Sequence, residues 1–186
     1  HCASALWQSL ALADSACWLT FMAVRTKIFI PDEIYFITFT IFGWQNIFTA
    51  DKYCQLALKW FDYMKVCYHN KLHGYVIMPN HLHLLLYISR TSPKLSTLIQ
   101  NGKRFLAYGI VDYLKKDGEI DLLRYFHKHA DKNNNAKHRV FEPRYDSLIV
   151  QTYKFFYEKL NYIHHNPCQA KWHLATRPED YKYSSA

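Results

Sequence analysis

Pro79-Asn80-His81-Leu82-His83 runs directly into Leu84-Leu85-Leu86-Tyr87. Two histidines two apart on an apolar run of strand length point to the same face of a sheet, because the side-chain period of a strand is two. Leu82, Leu84 and Leu86 then point to the opposite face, where helices can bury them. One face packs while the other presents two imidazoles side by side, a geometry suited to a divalent metal. The plainer alternative is a pair of polar residues on a solvated sheet face.

Tyr162-Ile163-His164-His165-Asn166-Pro167 ends a stretch that begins near Thr152. Within it Tyr153, Phe156, Tyr157, Leu160 and Ile163 recur at three- and four-residue spacing, the mark of an amphipathic helix. Tyr162 and Asn166 are four apart and share one face of such a helix. A phenol and a side-chain amide therefore project together and can face the histidine pair. Pro167 disfavours helical geometry at Asn166.

Several segments, taken in order, resemble one family. They are Tyr35-Phe36-Ile37-Thr38-Phe39-Thr40, then Gly74 to His83, Val140-Phe141-Glu142-Pro143-Arg144-Tyr145-Asp146, Asn161 to Pro167, and Asp180-Tyr181-Lys182-Tyr183-Ser184-Ser185. From about Phe29 to Ala186 the chain resembles the single-tyrosine HUH transposases of the IS200-like superfamily, and within it the REP-associated tyrosine transposases. HUH denotes His, a bulky apolar residue, His. The chain departs from the family where Ala170 is followed by Lys171 instead of Gly, and where Phe141-Glu142 replaces Trp-Gln. Both departures fall on DNA-contacting details.

The resemblance implies a metal-dependent enzyme that cleaves and rejoins single-stranded hairpin DNA. Tyr162 would be the nucleophile, taking the 5′-phosphate as a phosphotyrosine and releasing a 3′-hydroxyl. His81 and His83 would hold Mg2+ or Mn2+, with Asn166 as third ligand and His165 as the alternative. Tyrosine is abundant, so abundance favours none. Tyr75, Tyr87, Tyr153 and Tyr157 read as packing residues, and Tyr145 is the rival nucleophile. Two other functions are compatible with the same residues. One is a non-catalytic domesticated module that binds folded DNA or RNA. The other is a metal-dependent hydrolase using water, with Tyr162 structural.

Charge points the same way. The chain has 186 residues, 50% of them hydrophobic, a formal net charge of +8 and a pI near 9.2. A basic balance of this size suits a polyanionic partner, usually nucleic acid. Its most basic and least regular part, Arg124 to Arg144, carries Lys128, Lys132, Lys137, Arg139 and Arg144 among His127, His129, His138 and three asparagines. Such a loop could track a phosphate backbone while Phe126, Phe141 or Tyr145 stack on bases, or it could be a solvated insertion. Lys103-Arg104 and Lys115-Lys116 read as the solvent face of a helix.

These residues need a scaffold. Strands are expected over Ile34–Trp44, Gly74–Met78, His81–Ile88 and Ser147–Val150, with a hairpin turning at Pro79-Asn80. Helices are expected over Asp51–Tyr68, Ser96–Lys116 and Thr152–Asn166. Strand-helix-strand-strand-helix-strand is the order of a ferredoxin-like α+β fold. It places helices on one face of an antiparallel sheet and the HUH site on the other.

Residues 22–186 are expected to form one domain, with Met22 its natural start and a further C-terminal piece beyond Ala186. His1 to Phe21 reads as upstream sequence or an extension. It lacks the basic start of a signal peptide, and Asp14 interrupts it too early for a membrane span. Cys2, Cys17, Cys54, Cys67 and Cys168 form no Cys-x-x-Cys pair, consistent with thiols in a reducing cytosol. A cytoplasmic protein without a membrane partner, monomeric or homodimeric, is the expectation.

Overall fold

The computed structural model describes residues 29–131 and 136–186. Lys132 and the 1–21 segment lie outside the described residues. Four strands, β1 (Glu33–Thr40), β2 (Lys71–Met78), β3 (His81–Ile88) and β4 (Asp146–Ile149), form a sheet ordered β2-β3-β1-β4. Every neighbouring pair is antiparallel. With helices α1 (Asp51–Tyr68) and α2 (Leu95–Asp117) between them, the strands form the expected ferredoxin-like α+β arrangement.

Alternation in the strands divides the molecule into two cores. Tyr35, Ile37 and Phe39 of β1 and Leu82, Leu84 and Leu86 of β3 pack beneath α1 and α2. α1 and α2 approach closely at Gly102, where an added Cβ would lie 2.3 Å from a Trp60 ring carbon. Phe36, Val76, Met78 and Leu85 face the other way and meet Ile163 of α4 (Tyr153–His165). The Thr152 hydroxyl caps α4 by accepting from Phe155 N–H at 3.2 Å. β3 is therefore covered on both faces.

Several local expectations are corrected. β1 stops at Thr40, because Ile41 forms an isolated bridge with Phe141 and the chain then tightens into a 3-10 turn over Phe42–Trp44. Part of the expected basic loop is helical: α3 (Ile120–Lys128) drives Phe126 fully into the main core. Phe126 and Phe141 are both buried and cannot stack on bases. Tyr153 and Tyr157, expected to pack, are exposed, and Phe155 packs on the sheet instead. Lys103 is not on a solvent face, since its Nζ donates at 2.8 Å to the carbonyls of Glu142 and Arg144. Burial pushes its pKa down to about 8.

The closing segment pairs along the free edge of β2. Ile77 N–H donates to Tyr183 O at 2.9 Å and Ser185 N–H to Tyr75 O at 3.0 Å. Covering an edge strand removes a template for unwanted pairing. Among the described residues no helix is long and apolar enough to cross a membrane, and Cys54, Cys67 and Cys168 are free thiols.

Candidate active site

β3 carries His81 and His83 on the face opposite Leu82 and Leu84, as period two requires. Both are buried, which excludes a solvated sheet face. Their ring centroids lie 4.7 Å apart. Each ring is fixed through Nδ1: His81 by Asn80 Oδ1 at 2.8 Å, and His83 by Thr38 Oγ1 at 2.7 Å. An N–H donated from Nδ1 leaves the Nε2 lone pair available, the tautomer a metal ligand needs.

α4 lays Tyr162 over this pair. Its ring centroid is 5.1 Å from that of His83 and 5.9 Å from that of Phe36. Asn166 keeps right-handed helical angles, φ −56° and ψ −45°. Pro167 is accommodated because the chain passes into a 3-10 turn over Asn166–Cys168, whose first turn tolerates proline. Asn166 thus stays one turn from Tyr162, and the two are hydrogen-bonded. His165 is exposed, with its Nδ1 held by Asn161 O at 2.9 Å, and does not join the buried set.

Two buried polar atoms here have no hydrogen-bond partner: His83 Nε2 and Asn166 Oδ1. Leaving such atoms unsatisfied is costly unless a ligand completes them. Imidazole nitrogen and amide oxygen form a neutral donor set compatible with Mg2+ or Mn2+ that retains other ligands. Among the described residues no three His, Cys, Asp or Glu side chains cluster as a metal site.

The electrostatics favour an anion. Burial first, then the cation of Lys171, pushes the His81 pKa down to about 4. His83 is held well below its ordinary value by burial, then by His81, Lys159 and Lys171. Both rings are thereby kept neutral. Burial raises the Tyr162 phenol while the hydrogen bond with Asn166 pulls it down. Lys159 lies with its Nζ 5.0 Å from the Phe36 ring and 5.8 Å from the Tyr162 ring.

Sequence reasoning singled out neither Lys159 and Lys171 as site cations nor the indoles beside His81. Trp172 lies 5.6 Å from the His81 ring and Trp44 6.0 Å. The Trp172 Nε1 is buried and has no partner. The one available signal was Lys171-Trp172 following the Asn-Pro turn, where the family resemblance breaks.

Of the proposed DNA-binding residues, Lys128, Lys137 and Arg144 are exposed. Arg139 instead stacks its guanidinium 4.3 Å from the Phe42 ring centroid, with Glu142 3.8 Å away. Tyr145, the rival nucleophile, packs against the main core, its ring 5.7 Å from Lys103 Nζ.

An antiparallel sheet backed by two helices, with a tyrosine helix closing a paired-histidine face, makes an α+β fold. No family model matches the sequence, and no curated protein matches it. Among solved structures, a REP-associated tyrosine transposase bound to a REP hairpin aligns with a TM-score of 0.61 at 15% identity, covering 88% of this chain and 82% of that one. A transposase candidate from Deinococcus radiodurans R1 aligns with a TM-score of 0.40 at 13% identity, covering 70% of this chain and 88% of that one. The fold is shared with the REP-associated enzyme.

Proposed function

We propose that the protein is a metal-dependent single-tyrosine transposase or endonuclease that cleaves and rejoins single-stranded hairpin DNA. The observation that carries this reading is the placement of Tyr162 against His83 beside two unsatisfied buried atoms, His83 Nε2 and Asn166 Oδ1. The solved protein with the same fold is bound to a REP hairpin, which supports hairpin DNA as the substrate class.

His81, His83 and Asn166 would hold the Mg2+ or Mn2+. Bound there, the cation supplies Lewis-acid stabilisation of the charge that builds on the non-bridging phosphate oxygens. Tyr162 Oη attacks phosphorus, forming a phosphotyrosine bond as the bond to the 3′-oxygen breaks. The phenol loses its proton to water and the departing 3′-oxygen gains one. Asn166 holds the phenol in place, and Phe36 and His83 fix its ring, so attack starts from a restricted geometry. Lys159 and Lys171 add positive potential where a phosphate must sit. The phosphotyrosine keeps the phosphodiester's energy for rejoining.

Labelled single-stranded hairpin DNA incubated with the protein and Mn2+ tests this reading. A covalent adduct that survives denaturation and maps to Tyr162 is expected. Cleaved DNA with no adduct would point to water as the nucleophile.

A further inference from the structure

Beside the histidine pair lies a second feature with no role in bond cleavage. A cavity of about 390 Å³ opens next to His83's partner Thr38, lined also by Thr40, Trp44, Arg144, Tyr145 and Asp146. Thr38 belongs to both places, with its hydroxyl on His83 Nδ1 and the residue also lining the cavity. Whatever fills this space sits next to the ligand set.

Trp44 is the unusual member. It is 62% exposed, although a tryptophan normally hides most of its surface. Its backbone is left-handed, φ 57°, directly after Gly43 at φ 62°. A bulky residue in that region is strained and persists only where its surroundings over-determine it, a condition found most often at ligand sites. The surroundings here do so. Trp44 N–H donates to Ile41 O at 3.0 Å, Gly43 N–H donates to Glu142 Oε1 at 3.0 Å, and Asn80 Nδ2 donates to Trp44 O at 3.2 Å.

That last bond couples the turn to the active site. The same Asn80 side chain accepts from His81 Nδ1 through its Oδ1. One amide therefore holds both a candidate metal ligand and the backbone of the residue whose exposed indole lies 6.0 Å from it. The other walls carry donors in the Arg144 guanidinium, an acceptor in the Asp146 carboxylate, and hydroxyls on Thr38 and Thr40. An aromatic face with mixed donors and acceptors around it is the chemistry that holds an unpaired base by stacking and reads its edge.

We propose that this cavity receives one unpaired nucleobase of the bound strand, stacked on Trp44, and so sets which phosphate enters the site. The inference rests on the single-stranded DNA reading above and deepens it. Trp44 is a positioning residue, since it touches the substrate's base but no reacting atom.

A double-mutant cycle tests it. The probe is hairpin DNA with single-stranded flanks, intact or with one abasic nucleotide placed at each flank position in turn. Binding is measured for the wild type and for Trp44→Ala, with Mn2+ affinity as the control for damage to His81. One abasic position should weaken wild-type binding roughly tenfold to hundredfold, and Trp44→Ala should weaken intact DNA by a similar factor. On that abasic DNA, Trp44→Ala should cost less than about twofold more, and Trp44→Phe should restore most of the affinity on intact DNA.

Additive losses at every flank position would overturn the base pocket, even if the wild type forms its covalent adduct. Coupling at one position without any adduct would keep the pocket while sinking the tyrosine chemistry. Failure of the wild type to bind the hairpin would sink both.

Discussion

Thr38 stands directly opposite His83 across the β1–β3 pairing, and its hydroxyl oxygen lies 2.7 Å from the histidine's Nδ1. The register of two strands thus fixes the orientation of one imidazole. Thr38→Val keeps the shape and removes the oxygen. It should lower Mn2+ affinity about 10- to 100-fold, the usual cost of losing a partner behind a ligand. Titration calorimetry with Mn2+ would show it, and unchanged affinity would deny His83 a ligand's role.

Tyr162→Phe should abolish adduct and cleavage while hairpin affinity stays within about threefold and the fold is retained, because only a hydroxyl is lost. Tyr145→Phe should keep activity, since Tyr145 packs against the main core beside Lys103. A gel assay of adduct formation separates the two. Continued cutting by Tyr162→Phe would favour the hydrolase.

Replacing Lys128, Lys132 and Lys137 together with Gln should weaken hairpin binding and flatten its salt dependence. The slope of log affinity against log salt should fall by about 1 for each lysine that contacts phosphate. Affinity and slope both unchanged would move the DNA path away from this segment and towards the face between Lys159 and Lys171.

The metal-free protein should lose stability in mild acid. In the folded chain His81 accepts a proton only at about pH 4, and His83 is held well below its ordinary value by burial and the neighbouring positive groups. Unfolded histidines accept it near pH 6.5. Below that pH the unfolded chain binds more protons than the folded one, so stability falls as pH drops. His81 alone accounts for about 3 kcal/mol between pH 6.5 and 4. Urea unfolding in EDTA at pH 7 and pH 4.5 would measure the loss. The double variant His81→Gln with His83→Gln should show a smaller pH effect, and an equal one would trace acid sensitivity to other groups.

Most of the site's frame was legible because it follows from local period. A two-residue repeat put His81 and His83 on one face, and a four-residue step put Tyr162 above Asn166. Contacts made across the fold were not legible. Trp44 and Trp172 reach His81 from segments far from it in the chain. Lys103 looked like a solvent-facing lysine because its long stem can pass under Tyr145 to carbonyls about forty residues away, a route no helical wheel reveals. α3 was hidden by its own charges, since Arg124, His127 and Lys128 obscure the stripe on which Phe126 enters the core.

β3 is the central consequence of the architecture. It is paired on both sides and covered on both faces, so the strand that carries the two histidines is also the strand whose leucines join the main core. Its backbone amides are expected to open to solvent only when the sheet itself comes apart, and amide exchange should place them in the slowest class of the molecule. The histidines therefore cannot fray or rearrange separately from the domain. On the proposed function, any movement that admits DNA must be made by what lies over β3, namely α4 and the turn at Trp44, against a base that stays still.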